Sequence, residues 1–245
     1  MLTKNSGAHL GAALAALAWC DEIVVFDTGS VDDTRAIATA FPNVTWHQCQ
    51  GRFPGFGTAH RLAAGLARHD WILSIDSDEV VSPALADEIR ALALDPHTVY
   101  ALPFQNYYNG RHITTCGWQR EYHERLFCRE VTDFSDRPVH EKVATEGLLV
   151  RRLRHPVQHY SYDSLDDFLR KMQVYTSLFA SQHAGRKSGG AWHAWAHGAW
   201  AFLKCYVLQQ GFRQGAEGFT ISTYNAHTAV WKYLKLGEAN RRLST

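Results

Sequence analysis

Trp71-Ile72-Leu73-Ser74-Ile75-Asp76-Ser77-Asp78-Glu79 is the stretch that decides the fold. A short apolar run ending in acids predicts a buried strand of a parallel sheet, with its carboxyl end facing a ligand crevice. The same signature occurs upstream in Glu22-Ile23-Val24-Val25-Phe26-Asp27, so Asp27 and Asp76 are expected to point at one crevice. Between these strands, Ser30 followed by Asp33 is a capping pattern that opens a helix through about residue 41. Residues 44–47 read as another strand, 51–57 as a Gly- and Pro-bearing loop, and 59–69 as a helix. Pro83 suits the first turn of a further helix, over about 83–94. Repeated strand–helix units predict an α/β fold, a Rossmann-like and mostly parallel sheet flanked by helices.

The rhythm changes after Val99. Residues 99–104, 113–115 and 125–128 read as strands linked by polar loops. Ser164 opens an amphipathic helix with Leu165, Phe168, Leu169, Met172 and Phe179 on one face. A basic, Gly-rich break at 185–190 precedes a tail rich in Trp, His, Phe and Tyr. The expected organisation is a catalytic domain over 1–160 and a helical C-terminal region over 161–245.

Bulk properties narrow the function classes. With 245 residues, 46% hydrophobic and 20% charged, the chain is globular in composition. A net charge of +1 gives no general drive onto nucleic acid, while the 14 histidines would make the protein strongly basic at low pH. Cys20, Cys49, Cys116, Cys128 and Cys205 are scattered and odd in number, which argues against a disulfide scaffold or structural zinc and for a reducing compartment. The first residues lack a signal-peptide pattern, and no run of about 18 apolar residues predicts a membrane span.

Asp76-Ser77-Asp78 carries the chemistry. Mg²⁺ and Mn²⁺ favour carboxylate oxygens, keep several waters and share substrate phosphates, so one or two acids at a strand end suit them. Alone, the tripeptide reads equally well as a polar turn with capping acids; the preceding strand favours a site. Asp27-Thr28-Gly29-Ser30 offers an acid for a base or ribose donor and a glycine that lets backbone approach closely, or else a strand-to-helix turn. A buried Asp27 needs partners, because an unpaired buried acid is costly. Gly55-Phe56-Gly57, followed by His60-Arg61, reads as a loop feeding a helix that carries a base toward phosphates, or as a plain loop.

These elements occur in a recognisable order: Thr3-Lys4-Asn5, Trp19, Asp21 to Val25, Asp27 to Thr34, Gly55-Phe56-Gly57, then Trp71-Ile72-Leu73 with Asp76 to Glu79. The chain resembles glycosyltransferase family two, with a GT-A fold. Arg125-Leu126-Phe127 and Val139-His140-Glu141 resemble the branch of lipopolysaccharide core glycosyltransferases, as do Gly211-Phe212, Gly215, Gly218-Phe219 and the segment from Tyr233 to Leu236.

The resemblance implies an inverting transfer of a sugar, glucose by preference, from a UDP-sugar to a lipopolysaccharide core or related glycan, with Mg²⁺ or Mn²⁺. It places Asp27 at the uracil, Asp78 on the metal and Asp76 near the ribose or a metal water. Asn5, Gly29, Arg61 and Arg125 are further candidates for nucleotide-sugar contacts. Inversion requires one base for the acceptor hydroxyl. Glu141 is the candidate, with Glu121 and Asp136 as rivals and His140 as a metal or diphosphate contact. A loop His-Glu pair also reads as a plain surface feature. Arg125 or Arg129 would hold the diphosphate or form a structural ion pair. The family usually begins with a full hydrophobic strand, of which Met1-Leu2-Thr3 remains here, and Ser6 stands where an acid is common.

In the tail, Trp192, Trp195 and Trp200 with Phe202, Tyr206, Phe212 and Phe219 read either as core packing or as a membrane-interface surface, with Arg186, Lys187 and Lys204 available to anionic headgroups. The expected partners are a UDP-sugar, a lipid-linked glycan and the cytoplasmic face of the bacterial inner membrane. His193 and His197 have i,i+4 spacing without the acid of a zinc motif. Two other classes remain: a metal-dependent nucleotide-sugar hydrolase, marked by acceptor-independent UDP release, and a non-catalytic nucleotide- or glycan-binding module, marked by binding without turnover.

Overall fold

The computed structural model of the chain describes residues 1–51, 53–119, 121–135 and 142–243. In chain order the elements are β1 (Leu2–Thr3), α1 (Leu10–Ala16), β2 (Ile23–Asp27), α2 (Thr34–Thr39), β3 (Val44–Gln48), α3 (Phe56–Leu66), β4 (Trp71–Leu73) and β5 (Glu79–Val81). They continue as α4 (Pro83–Arg90), β6 (Thr98–Tyr108), β7 (Arg111–His112), β8 (Glu121–Cys128), β9 (Leu149–Arg152) and β10 (Val157–Tyr162). The helices α5 (Leu165–His183), α6 (Ala191–Leu203) and α7 (Gly215–Leu243) complete the chain. Two compact units emerge, Met1–Gln105 with Arg120–Tyr160, and Asn106–Gln119 with Ser161–Thr245.

In the first unit, β1, β2 and β3 form a parallel sheet, with Leu2 opposite Phe26 and Ile23 opposite Val44. The parallel pattern read from the strand–helix units applies to these three strands. The later strands form a second, mixed sheet in the order β4-β8-β6-β10-β5, where β4 runs antiparallel to β8 and β5 antiparallel to β10. Residues 74–78 join the two ends of that order, so the acidic segment must cross β8, β6 and β10. Buried Leu14, Val25, Ile75, Leu85, Leu102, Leu126 and Val157 form the core of this unit.

The second unit packs α5 and α6 against α7, over a core of Tyr108, Ile113, Phe168, Cys205 and Ile221. Ser164 caps α5 through a reciprocal capping box with Asp167. The expected apolar face of α5 is corrected: Phe168 is buried, but Leu165 and Leu169 face outward. The reason is the stacking of Phe168 on Tyr162 at 3.9 Å, which fixes the helix's rotation. The strand expected at 113–115 is also displaced, because the hairpin turn at Asn109 and Gly110 pairs Arg111 and His112 with Tyr108 and Tyr107 instead. His193 and His197 stack on Tyr233, a packing role.

Candidate active site

Asp27 closes β2 and is buried, yet it is not unpaired. Four donors converge on its two oxygens: the Thr3 hydroxyl at 3.3 Å, the Gly29 and Ser30 amides at 3.1 and 3.0 Å, and the Ser30 hydroxyl. That fills the capacity of a carboxylate. Asp27 thus builds the turn after β2, and a base or ribose donor reaches it only by replacing one of these groups. Ser30 is corrected as a helix cap: its hydroxyl serves Asp27, and α2 starts at Thr34 without a side-chain cap. Asn5 ties the preceding loop to this turn, its amide N–H donating to the Ser30 hydroxyl at 2.9 Å and its side-chain oxygen accepting from Val31 N at 2.9 Å. Ser6 reaches the acidic segment, with its hydroxyl 2.7 Å from that of Ser77. Gly29 and Asn5 therefore lie on the loops that frame the segment.

The acidic segment holds two kinds of carboxylate. Asp76 accepts from Arg125 Nη2 at 3.2 Å and lies 3.8 Å from His60 Nε2. Glu79, only 1% exposed, accepts from the same Arg125 nitrogen at 2.6 Å and from the Asp76 backbone N–H at 2.8 Å. Arg125 comes from β8, which the antiparallel pairing of Leu73 with Leu126 sets beside the segment. Its guanidinium also lies over the Phe104 ring at 5.5 Å, and its Nε has no hydrogen-bond partner.

Burial alone would raise the Asp76 carboxyl, but Arg125 and His60 outweigh it and hold it below the ordinary carboxylate range. Burial pushes Glu79 up to about 7, with Arg125 opposing and Asp76 reinforcing the shift. Burial would lower the Arg125 pKa, but Glu79 and Asp76 reverse it and hold the guanidinium above its usual value. The candidate diphosphate contact Arg125 is thereby engaged with two acids of its own chain. Arg129, its alternative, donates to the Ala64 and Ala67 carbonyls at the end of α3, a helix-capping role.

Asp78 differs in its partner rather than its exposure. Its side chain is 36% exposed against 33% for Asp76, and the described ionic neighbour is His159 Nε2 at 3.6 Å. Burial would lower the His159 imidazole, but the Asp78 carboxylate beside it holds it above its ordinary value. His159 sits opposite Glu79 in the β10–β5 register, which delivers it under the segment. No local pattern in the sequence marked His159; only the sheet pairing places it. Helix α3 turns His60 toward Asp76, with the ring stacked on Phe134 at 4.6 Å, while Arg61 follows one position on and is half-buried. Burial lowers the His60 pKa to about 4. Glu121 stands 3.8 Å from His123 in a half-exposed position. Glu141, His140 and Asp136 lie outside the described residues.

Among the described residues, no cluster of three ligating side chains forms a closed metal cage. The donor set instead offers Asp78 as an open hard-oxygen ligand, with Asp76 anchored two positions before it. That set fits Mg²⁺ or Mn²⁺ held chiefly by water and substrate phosphate.

The sequence profile of Glycosyl transferase family 2 matches residues 1–153. The chain is similar to an uncharacterized glycosyltransferase of Rickettsia felis, 25% identical over 98% of this chain and 88% of that protein. It is also similar to the lipopolysaccharide core biosynthesis glycosyltransferase LpsC of Rhizobium meliloti, 25% identical over 74% of this chain and 69% of that one. Among solved structures, S. aureus TarS is 18% identical over 73% of this chain and 38% of its own, with a TM-score of 0.49. Its 1–349 fragment in complex with UDP is 16% identical over 98% of this chain and 90% of its own, with a TM-score of 0.48. The profile spans both parallel-sheet loops and the whole acidic segment, and the chain belongs to glycosyltransferase family 2.

Proposed function

We propose that the chain transfers a sugar, with inversion, from a UDP-sugar to a lipopolysaccharide core or related lipid-linked glycan, using Mg²⁺ or Mn²⁺ at Asp78. The observation that carries this reading is the division of labour in the acidic segment: Arg125 and Glu79 fix Asp76, and Asp78, partly exposed, stays outside that ion pair beside His159. A bound metal would supply positive charge to the departing diphosphate. The likeness to LpsC supports the acceptor class, and glucose is the proposed sugar. In the transfer, the acceptor oxygen bonds to the anomeric carbon, the bond to the diphosphate oxygen breaks, and the hydroxyl proton passes to a base. Glu141 is the proposed base. Asp27, Asn5 and Gly29 are proposed to shape the nucleotide end of the site, with Asp76, Arg61 and Arg125 on the diphosphate side and His140 as a second metal contact. We also propose the cytoplasmic face of the bacterial inner membrane as the place of work.

A donor screen tests the reading. UDP release from several UDP-sugars is measured with Mg²⁺ or Mn²⁺ and a truncated lipopolysaccharide acceptor. Release that depends on acceptor supports transfer; release at the same rate without acceptor assigns the hydrolase instead.

A further inference from the structure

Helix α6 carries its bulk on the outside. Its inward face is small, with Ala194 and Gly198 buried against α7. A Cβ on Gly198 would stand 2.5 Å from Val230 Cγ2, so this face accepts nothing larger. The opposite face presents Trp192, Trp195, Trp200 and Leu203, exposed by 72%, 64%, 54% and 46%. Trp192 and Trp195 stack on each other at 5.3 Å, which gives a rigid aromatic surface. The π-helical turn Lys204–Leu208 continues the helix, with Val207 and Leu208 exposed in turn. A helix stabilised only by its own protein shows the reverse pattern, with bulk inward and polar groups outward. This many exposed large apolar side chains along one helix and its following turn mark an interaction site.

The charge along this part of the chain points to the partner. Between residues 184 and 216 stand Arg186, Lys187, Lys204 and Arg213, with no Asp or Glu. Tryptophan rings favour the headgroup level of a bilayer, and flanking cations meet anionic lipid. No helix among the described residues is long and apolar enough to cross a membrane, so the contact is one that lies on the surface. We infer that the outward face of α6 and its π-helical turn is a docking surface for an anionic lipid bilayer. The inference deepens the proposed use of a lipid-linked acceptor, but its test involves no sugar, nucleotide or metal, so the two stand or fall separately.

The full chain is tested for co-sedimentation with vesicles of phosphatidylcholine alone and of phosphatidylcholine with phosphatidylglycerol. Preferential binding to the anionic vesicles is expected. The triple variant Trp192→Ala, Trp195→Ala, Trp200→Ala is expected to bind roughly tenfold more weakly or worse, while keeping its circular dichroism. The double variant Arg186→Gln, Lys187→Gln is expected to lose roughly tenfold on anionic vesicles. Hydrogen exchange on the native chain gives a readout that does not depend on any variant's folding: anionic vesicles should protect peptides covering 191–208. Absence of vesicle binding, equal binding by the triple variant, equal binding to neutral vesicles, or protection elsewhere in the chain would each overturn the inference. So would protection of 191–208 that rises with protein concentration without lipid, since a second copy would then cover the face.

Discussion

Asp76 and Asp78 stand two residues apart in contrasting electrostatic surroundings. Asp76 shares one guanidinium with the buried Glu79, whereas Asp78 lies outside that ion pair and faces an imidazole at 3.6 Å. Asp78→Asn is therefore expected to cut metal-dependent UDP release by roughly 100-fold or more. Its unfolding midpoint should fall only slightly, since the interaction lost is the partly exposed pair with His159. Arg125→Gln acts differently. It strands two acids that have one cation between them, so a loss of about 3 kcal/mol in urea unfolding is expected. Activity then falls because Asp76 is no longer held. His60 contributes a pH dependence. Its folded pKa of about 4 lies below the ordinary value of 6.5, so between these values the unfolded chain binds a proton that the folded chain refuses. Stability from this group is complete above pH 6.5 and is lost as pH falls toward 4, by about 3 kcal/mol. Urea unfolding at pH 7 and pH 4 should show a smaller drop for His60→Gln than for the native chain.

At the scale of elements, close contacts between glycines hold the second unit together. A Cβ on Gly218 at the start of α7 would lie within 2 Å of the Gly211 carbonyl oxygen, at 1.9 Å, and backbone cannot yield as a side chain can. Gly218→Ala is expected to destabilise the chain by about 2 kcal/mol or more, read by urea unfolding. The sequence marked Gly211 and Gly218 only as a family likeness; their mutual approach gives the physical reason. Helices α2 to α5 and strands β2 to β4 were legible because apolar period and helix-start residues are local: Pro83 opens α4 and Ser164 caps α5, whereas α1, α6 and α7 were not read as separate helices. What was not legible depends on pairing across the chain. The meeting of Arg125 with Asp76 follows from the register of β4 with β8, and that of His159 with Asp78 from β10 with β5. Ser30 reads as a cap by local rules, but the buried Asp27 competes for the same hydroxyl and wins.

At the scale of the whole molecule, the family was legible because its strand-end acids and turn residues occur in order along the first 153 residues. The arrangement around them was less so, because residues 74–78 cross a mixed sheet whose strand order no local pattern announces. Asp78, backed by a fixed Asp76, is the proposed support for metal-assisted transfer from a nucleotide-sugar. The most direct test is a titration of Mg²⁺ and Mn²⁺ into the metal-stripped full chain, with UDP release measured at saturating UDP-glucose and truncated lipopolysaccharide. Release is expected to rise from background to saturation with metal and to require acceptor. Release at full rate in the presence of chelator would contradict a metal role for Asp78.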